Sequence, residues 1–156
     1  MVYYSGDFGV NTPVLDGRDL ALIEALRSDA RLSEKKLAKR TRIPMTTVHN
    51  RLKRLRDSGV IKKHTVVLDY AKLGRPLIAF VMVRASPGAD QKKLLKFVAS
   101  KAGVDEAAMI TGEFDILFRA RVASMEELNG LVVQDLRKSE MVSDTRTMLC
   151  YELVEN

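Results

Sequence analysis

Tryptophan is absent from this sequence, cysteine occurs once, histidine twice, and aromatic residues make up only 6% of it. Each scarcity closes off a class of function. Cys150 alone allows neither an internal disulfide nor a Cys-rich metal site, and it reads as a small packed apolar residue. His49 and His64 both fall in one basic segment, far along the chain from Cys150, which leaves no histidine ligand cluster and no Cys–His nucleophile. No stretch reaches the roughly 18 apolar residues of a membrane-spanning helix. No long basic amphipathic helix with a Trp/Phe face is present to lie on a membrane surface. The opening MVYYSGDFG has no basic region followed by an apolar run, so no secretory leader is expected and the reading is intracellular, in the cytoplasm. The motifs G-x-x-x-x-G-K-[ST], H-E-x-x-H, G-x-S-x-G and G-x-G-x-x-G are also missing. No catalytic residue, cofactor or metal is therefore expected.

What the chain does have is an uneven distribution of charge. The formal net charge is +6 over 156 residues. Residues 16–76 hold 16 Lys/Arg against 7 Asp/Glu, whereas residues 77–156 hold 10 against 12. The basic excess belongs to one segment, which points to a polyanion-binding half and a half with another task. With 46% hydrophobic and 29% charged residues, a soluble folded protein is expected and not a disordered one.

The basic segment centres on Ile43 to Gly59, IPMTTVHNRLKRLRDSG. Val48, Leu52 and Leu55 recur at spacings of four and three, one stripe of an α-helix. Thr46, Thr47, His49, Asn50, Arg51, Lys53, Arg54 and Arg56 fill its other faces. Cations, an amide, an imidazole and hydroxyls together suit phosphates and base edges. Upstream, Asp16 offers an N-cap with Asp19 three residues on, and Leu22, Ile23 and Leu26 form a buried stripe. Ser33 caps a second helix, in which Leu37 and Ala38 face inward. Pro44 enforces a turn before the third helix. A short helix, a tight turn and a basic helix make a helix-turn-helix, preceded here by a supporting helix. After Gly59, Val60, Ile61 and Thr65 to Leu68 favour strand, with Lys62, Lys63 and His64 at a bend, which predicts a small wing.

The remainder predicts a βαββαβ order. Strands are expected at Leu77 to Ala85, Val104 to Thr111, Ile116 to Val122 and Val142 to Val154. One helix is expected at about Asp90 to Lys101. Another opens with a Ser124-x-x-Glu127 capping box and has Leu128, Leu131, Val132 and Leu136 as its inner face. That order is the ferredoxin-like arrangement, an antiparallel four-stranded sheet with two helices on one face. The fold class is therefore α+β, a winged helix-turn-helix followed by a ferredoxin-like domain. The expected divisions are an arm at 1–14, a DNA-binding domain at 15–68, a hinge at 69–76 and a second domain at 77–156. The sheet's other face keeps apolar side chains, and a second subunit is expected to cover it. Tyr3, Tyr4 and Phe8 of the arm are candidates to anchor it on that subunit, against the plainer reading of a partly ordered terminus.

From Leu15 onward the chain resembles the Lrp/AsnC, or feast/famine, family of transcription regulators. The resemblance is carried by Leu15-Asp16-x-x-Asp19, Arg31-Leu32-Ser33, Leu37-Ala38, Arg51-x-x-x-Leu55, Gly59-Val60-Ile61 and Thr111-Gly112-Glu113-Phe114-Asp115, in that order. It implies an N-terminal winged helix-turn-helix and a C-terminal domain that dimerises and senses small molecules, usually amino acids. It also implies assembly of dimers into tetramers or octamers. Pro44 departs from the family, which commonly has a capping serine there. Sirohaem decarboxylases share the architecture but carry histidines near the sheet, and residues 77–156 here contain none.

The candidate site residues follow. Lys35, Lys36, Arg51, Lys53, Arg54, Lys62 and Lys63 are expected at phosphates, where they supply salt-dependent affinity and orientation. Arg51 has a second possible role, pairing with an acidic residue of the supporting helices. Thr46, Thr47, His49 and Asn50 are expected at base edges, Asn50 being able to bond an adenine in two places. Ser33 and Met45, at the starts of the second and third helices, complete the DNA-facing set. In the second domain Gly112 permits a close backbone approach to an effector carboxylate, and Glu113 or Asp115 would hold its α-ammonium. Thr145 and Thr147 are expected nearby. The partners are thus double-stranded DNA, further copies of this chain and an amino-acid effector, with no membrane. Two other readings stand beside this one, an architectural DNA-binding protein of weak sequence preference and a pure protein-interaction module.

Overall fold

The structure, a computed structural model, describes residues 13–154 and divides into two units between Val67 and Leu68. The candidate arm residues Tyr3, Tyr4 and Phe8 lie outside the described residues.

The first unit holds three helices, α1 (Gly17–Ser28), α2 (Glu34–Thr41) and α3 (Met45–Asp57). Asp16 caps α1 by accepting the amides of Arg18 and Asp19 at 2.9 and 3.0 Å, and its own amide donates to Asp19 Oδ2 at 3.1 Å. That reciprocal pair satisfies the donors a helix start leaves open. Ser33 caps α2 through the Lys36 amide at 3.3 Å. Arg42 takes a left-handed φ of 57° at the end of α2, and Pro44 starts α3 with no side-chain cap. Leu22, Ala25, Leu37, Ile43, Val48 and Leu52 close on one another as the core of the unit.

No strand forms between α3 and Leu77, so the wing expected at residues 60–68 has no ladder. The reason is physical. A strand needs a neighbour, and the only sheet among the described residues belongs to the second unit. Val66 and Val67 consequently stand 72% and 89% exposed. Residues 69–76, expected as the hinge, hold a turn closed by Arg75 N donating to Tyr70 O at 2.8 Å. The Tyr70 ring lies 4.3 Å beneath the Arg121 guanidinium.

The second unit runs β1 (Leu77–Ala85), α4 (Gln91–Ala99), β2 (Val104–Met109), β3 (Ile116–Val122), α5 (Met125–Asn129) and β4 (Val142–Leu149). The strands pair antiparallel in the order β2-β3-β1-β4. Strands β2 and β4 stop short of the expected Thr111 and Val154, where pairing with β3 and β1 gives out. Ala79, Val81 and Val83 of β1, with Ile116, Phe118, Ala120 and Val122 of β3, face α4 and α5. The expected stripe of Leu128, Leu131, Val132 and Leu136 is buried against them, but only its start is α-helical, since Gly130–Leu136 widens into a π-helix. At the start of α5 the Ser124 hydroxyl accepts the Glu127 amide, while the Glu127 carboxylate receives the amide of Ala123, one residue before the cap, at 2.7 Å. On the sheet's other side Ile78, Phe80, Met82 and Leu117 are only half-buried, and no described helix of this unit covers them.

Phe118 is 1% exposed at the centre of this core. Phe118→Ala should lower stability by about 3–5 kcal/mol, measured by denaturant unfolding of the second unit.

Candidate nucleic-acid interface

The third helix is held to the first by one buried carboxylate. Asp19 shares the inward side of α1 with Leu22, three residues on, and is fully buried. A charge there demands partners, and α3 supplies two. Arg51 Nη1 donates to Asp19 Oδ1 at 2.9 Å and to Asp16 Oδ1 at 2.7 Å. Arg54 Nη2 donates to Asp19 Oδ2. The Arg51 hydrogen bond, followed by the amide of Asp19, lowers the carboxyl of Asp16 from its ordinary 3.8 to about 2. Reciprocally, the hydrogen bonds to Asp16 and then Asp19 raise the guanidinium of Arg51 above its ordinary value.

Of the two roles open to Arg51, the structure has it in the ion pair, and Arg54 shares that commitment. The sequence reading missed Asp19 as more than a helix cap. An aspartate three residues before Leu22, in register with the buried stripe, was the available signal.

With the arginines tied, α3 presents Thr46, His49, Asn50 and Lys53 to solvent, and Met45 is 55% exposed at its start. Thr47, Asn50, Arg51 and Arg54, at helical spacings of three and four, line a shallow concavity of about 240 Å³. Its floor therefore combines an amide, a hydroxyl and guanidinium edges. Lys35 and Lys36 stand exposed on α2 and Lys63 beyond α3. Lys62 is exposed beside Lys63. Ser33 spends its hydroxyl on the helix cap. His49 Nδ1 sits 3.1 and 3.2 Å from the two carboxylate oxygens of Glu34 on α2.

In the second unit the structure separates residues that the sequence reading grouped. Gly112 has a φ of +117°, so the loop does need glycine. Glu113 pairs with Arg84 at 2.8 Å and lies 3.8 Å from Arg146. Both guanidiniums stand over the buried Phe114 ring, at 5.0 and 5.2 Å. Asp115 accepts one hydrogen bond on each oxygen, from Ala85 N to Oδ2 at 2.7 Å and from Gln91 Nε2 to Oδ1 at 2.6 Å. It thereby ties the β1–α4 connection to the loop. Thr145 opposes Val83 and Thr147 opposes Val81. Antiparallel partners share a face, so both threonines lie on the helix side of the sheet. Thr145 Oγ1 accepts from Arg137 Nε there at 2.7 Å. Arg84 and Arg146 were not foreseen; alternation along β1 and β4 places them on the uncovered face.

Comparison with known proteins agrees with this division. A family model described as winged helix-turn-helix DNA-binding matches residues 15–62, and one described as the Lrp/AsnC ligand binding domain matches residues 78–155. An uncharacterised HTH-type transcriptional regulator of Pyrococcus furiosus is 38% identical over 144 residues, covering 91% of this chain and 96% of that protein. The HTH-type transcriptional regulator FL11 of the same organism is 35% identical over 137 residues, 87% of this chain and 89% of its own. Among solved structures, a Neisseria meningitidis transcriptional regulator in complex with L-Met superposes with a TM-score of 0.85 at 23% identity, covering 92% of this chain and 94% of that one. Escherichia coli AsnC gives 0.83 at 21% identity, covering 92% and 98%.

Two outcomes follow from the Asp19 pairing. Asp19→Ala leaves Arg51 half-buried with one partner fewer and should cost about 2–3 kcal/mol in thermal unfolding of the first unit. A folded carboxyl depressed below its unfolded value stabilises the protein above the unfolded value and ceases to do so as pH falls through the folded one. The contribution of Asp16 should therefore be complete above about pH 4 and fade from 3.8 toward about 2, and Asp16→Asn should remove that part of the acid-unfolding curve.

Proposed function

The chain belongs to the Lrp/AsnC family of DNA-binding transcription regulators with a ligand-binding domain, and from that membership we propose that it reads imperfect palindromes as a dimer whose assembly an amino acid modulates. The observation that carries the reading is the face of α3, where Thr46, His49 and Asn50 stand exposed beside a guanidinium pair fixed to α1. Two hydroxyl- and amide-bearing helices in one dimer would enter successive major grooves roughly 34 Å apart, which is why palindromic half-sites are expected. Lys35, Lys36, Lys53, Lys62 and Lys63 supply the surrounding phosphate contacts, and Asn50 with the threonines the base contacts.

Dimerisation is supported by the uncovered sheet face. Ile78, Phe80, Met82 and Leu117 form an apolar strip on it, and Met148 at its edge is 43% exposed. The effector reading rests on the loop at Gly112 and Glu113 together with Arg84 and Arg146. Their two guanidiniums suit a carboxylate and Glu113 suits an α-ammonium group. The bound L-Met of the Neisseria regulator supports an amino acid as the ligand class. A ligand shifts the assembly only by binding one state better than another. The reading is of a regulator and not an enzyme. The sirohaem decarboxylase outline finds no histidine in residues 77–156 to carry its chemistry.

Selection of bound fragments from random DNA should recover a palindromic motif, relaxed at defined positions by Asn50→Ala. With four or five lysines per subunit at phosphates, log K against log salt should fall with a slope on the order of −7 to −9 for a dimer. Steep salt dependence without a motif would favour architectural binding. Calorimetric titration with the full set of amino acids should give heat for at least one of them, and Arg146→Ala should abolish it. No heat from any of them would contradict the effector.

A further inference from the structure

Arg42 is the one described residue other than glycine with a positive φ; the rest are Gly59, Gly74, Gly88, Gly103 and Gly112. At φ 57° and ψ 30° it ends α2 and opens the turn into α3. A residue with a Cβ meets a steric penalty in the left-handed region that glycine avoids. Asparagine and aspartate visit that region by bonding locally, which an arginine side chain does not do. Relaxation is blocked on the side of α3. Ile43 is 6% exposed within the core of the unit, and Pro44 has its φ fixed at −54°. The backbone at this position suits glycine, and the chain has arginine there.

The first unit gives that arginine no structural task. Arg42 is exposed, and its guanidinium has no ion pair or hydrogen bond among the described residues. The negative end of α2 already carries Lys39 and Arg40 in its last turn. The first turn of α3 holds no acidic side chain for it to meet. Asp16 and Asp19 are taken by Arg51 and Arg54, and Glu34 lies against His49.

We infer that Arg42 is a DNA-anchoring residue, held in a strained backbone so that its guanidinium takes a phosphate where the duplex backbone passes the entrance of α3. This rests on the placement of α3 in the major groove proposed above, and it adds a residue outside every group so far assigned to DNA. In a helix-turn-helix the turn immediately precedes the residues that meet base edges, here Met45, Thr46 and Thr47. A planar guanidinium can match two phosphate oxygens at once, which an ammonium group does only as a point charge. Such a contact sets register and affinity and carries no sequence information.

The test compares the full-length protein with its Arg42→Gly, Arg42→Asn and Arg42→Lys variants. Each is bound to a selected operator and to unrelated DNA across a salt series, and each is unfolded thermally. Arg42→Gly should unfold about 3 °C above the wild type, because the left-handed strain is gone. The same variant should lose affinity on the order of tenfold for both DNAs, with log K against log salt shallower by about 2 for a dimer. Arg42→Asn, neutral and tolerant of a positive φ, should show the same shallower slope. Arg42→Lys should keep the wild-type slope with a smaller loss of affinity. The selected motif should be the same for every variant. Higher stability together with weaker binding is a combination that a packing role does not produce. An unchanged slope in Arg42→Gly, or a fall in its unfolding temperature, overturns this inference alone. So does a motif relaxed at one position, which would put Arg42 on a base edge. Absence of DNA binding by the wild type overturns the proposed function and this inference with it.

Discussion

A single buried carboxylate decides where the third helix can be. Asp19 has no solvent to stabilise its charge, so the fold is acceptable only with Arg51 and Arg54 brought against it. That requirement fixes the rotation of α3 about its own axis. With Arg51 and Arg54 turned toward α1 and Val48, Leu52 and Leu55 turned into the core, Thr46, His49, Asn50 and Lys53 have only the outside left. An apolar stripe alone would tolerate some rolling of the helix, because hydrophobic contact is not directional. Hydrogen-bonded guanidiniums are directional, and base reading needs that angular definition.

The same network changes the meaning of the positive charge. Asp16 and Asp19 neutralise Arg51 and Arg54 in place, so these arginines position the helix more than they attract DNA. In the proposed reading, attraction of DNA falls to exposed lysines such as Lys35, Lys36 and Lys53. The second unit repeats the device on a smaller scale, with Glu113 set between Arg84 and Arg146 over the Phe114 ring. There the charges lie on the sheet face opposite α4 and α5, the face on which the proposed effector contacts and the proposed subunit contact would meet.

Much of this was legible in the sequence, and what was not has identifiable causes. Helices and strands followed from periodicity, and β1 and β3 matched to the residue because each is bounded by a turn of fixed chemistry. The tie from Asp115 to Ala85 N and Gln91 Nε2 was not legible, because a carboxylate beside a glycine turn gives no sign of partners 30 and 24 residues away. Thr145 and Thr147 were grouped with the loop because alternation along β4 gives two faces but not which one the helices cover. The wing strand was read from β-branched residues, and propensity says nothing about whether a pairing edge is present. The contact of Glu34 with His49 was not legible, because the two are fifteen residues apart in sequence and only the packing of α2 on α3 brings them together.

Methylation interference on a selected operator tests most directly whether Asp19 holds α3 for entry into the major groove. Dimethyl sulfate marks guanine N7 in the major groove and adenine N3 in the minor groove, and binding sorts the marked fragments. The account predicts that N7 methylation blocks binding in two successive major grooves on one side of the duplex, and that the interference weakens when Asp19 is replaced by alanine. Interference confined to adenine N3, or none at guanines, would contradict it.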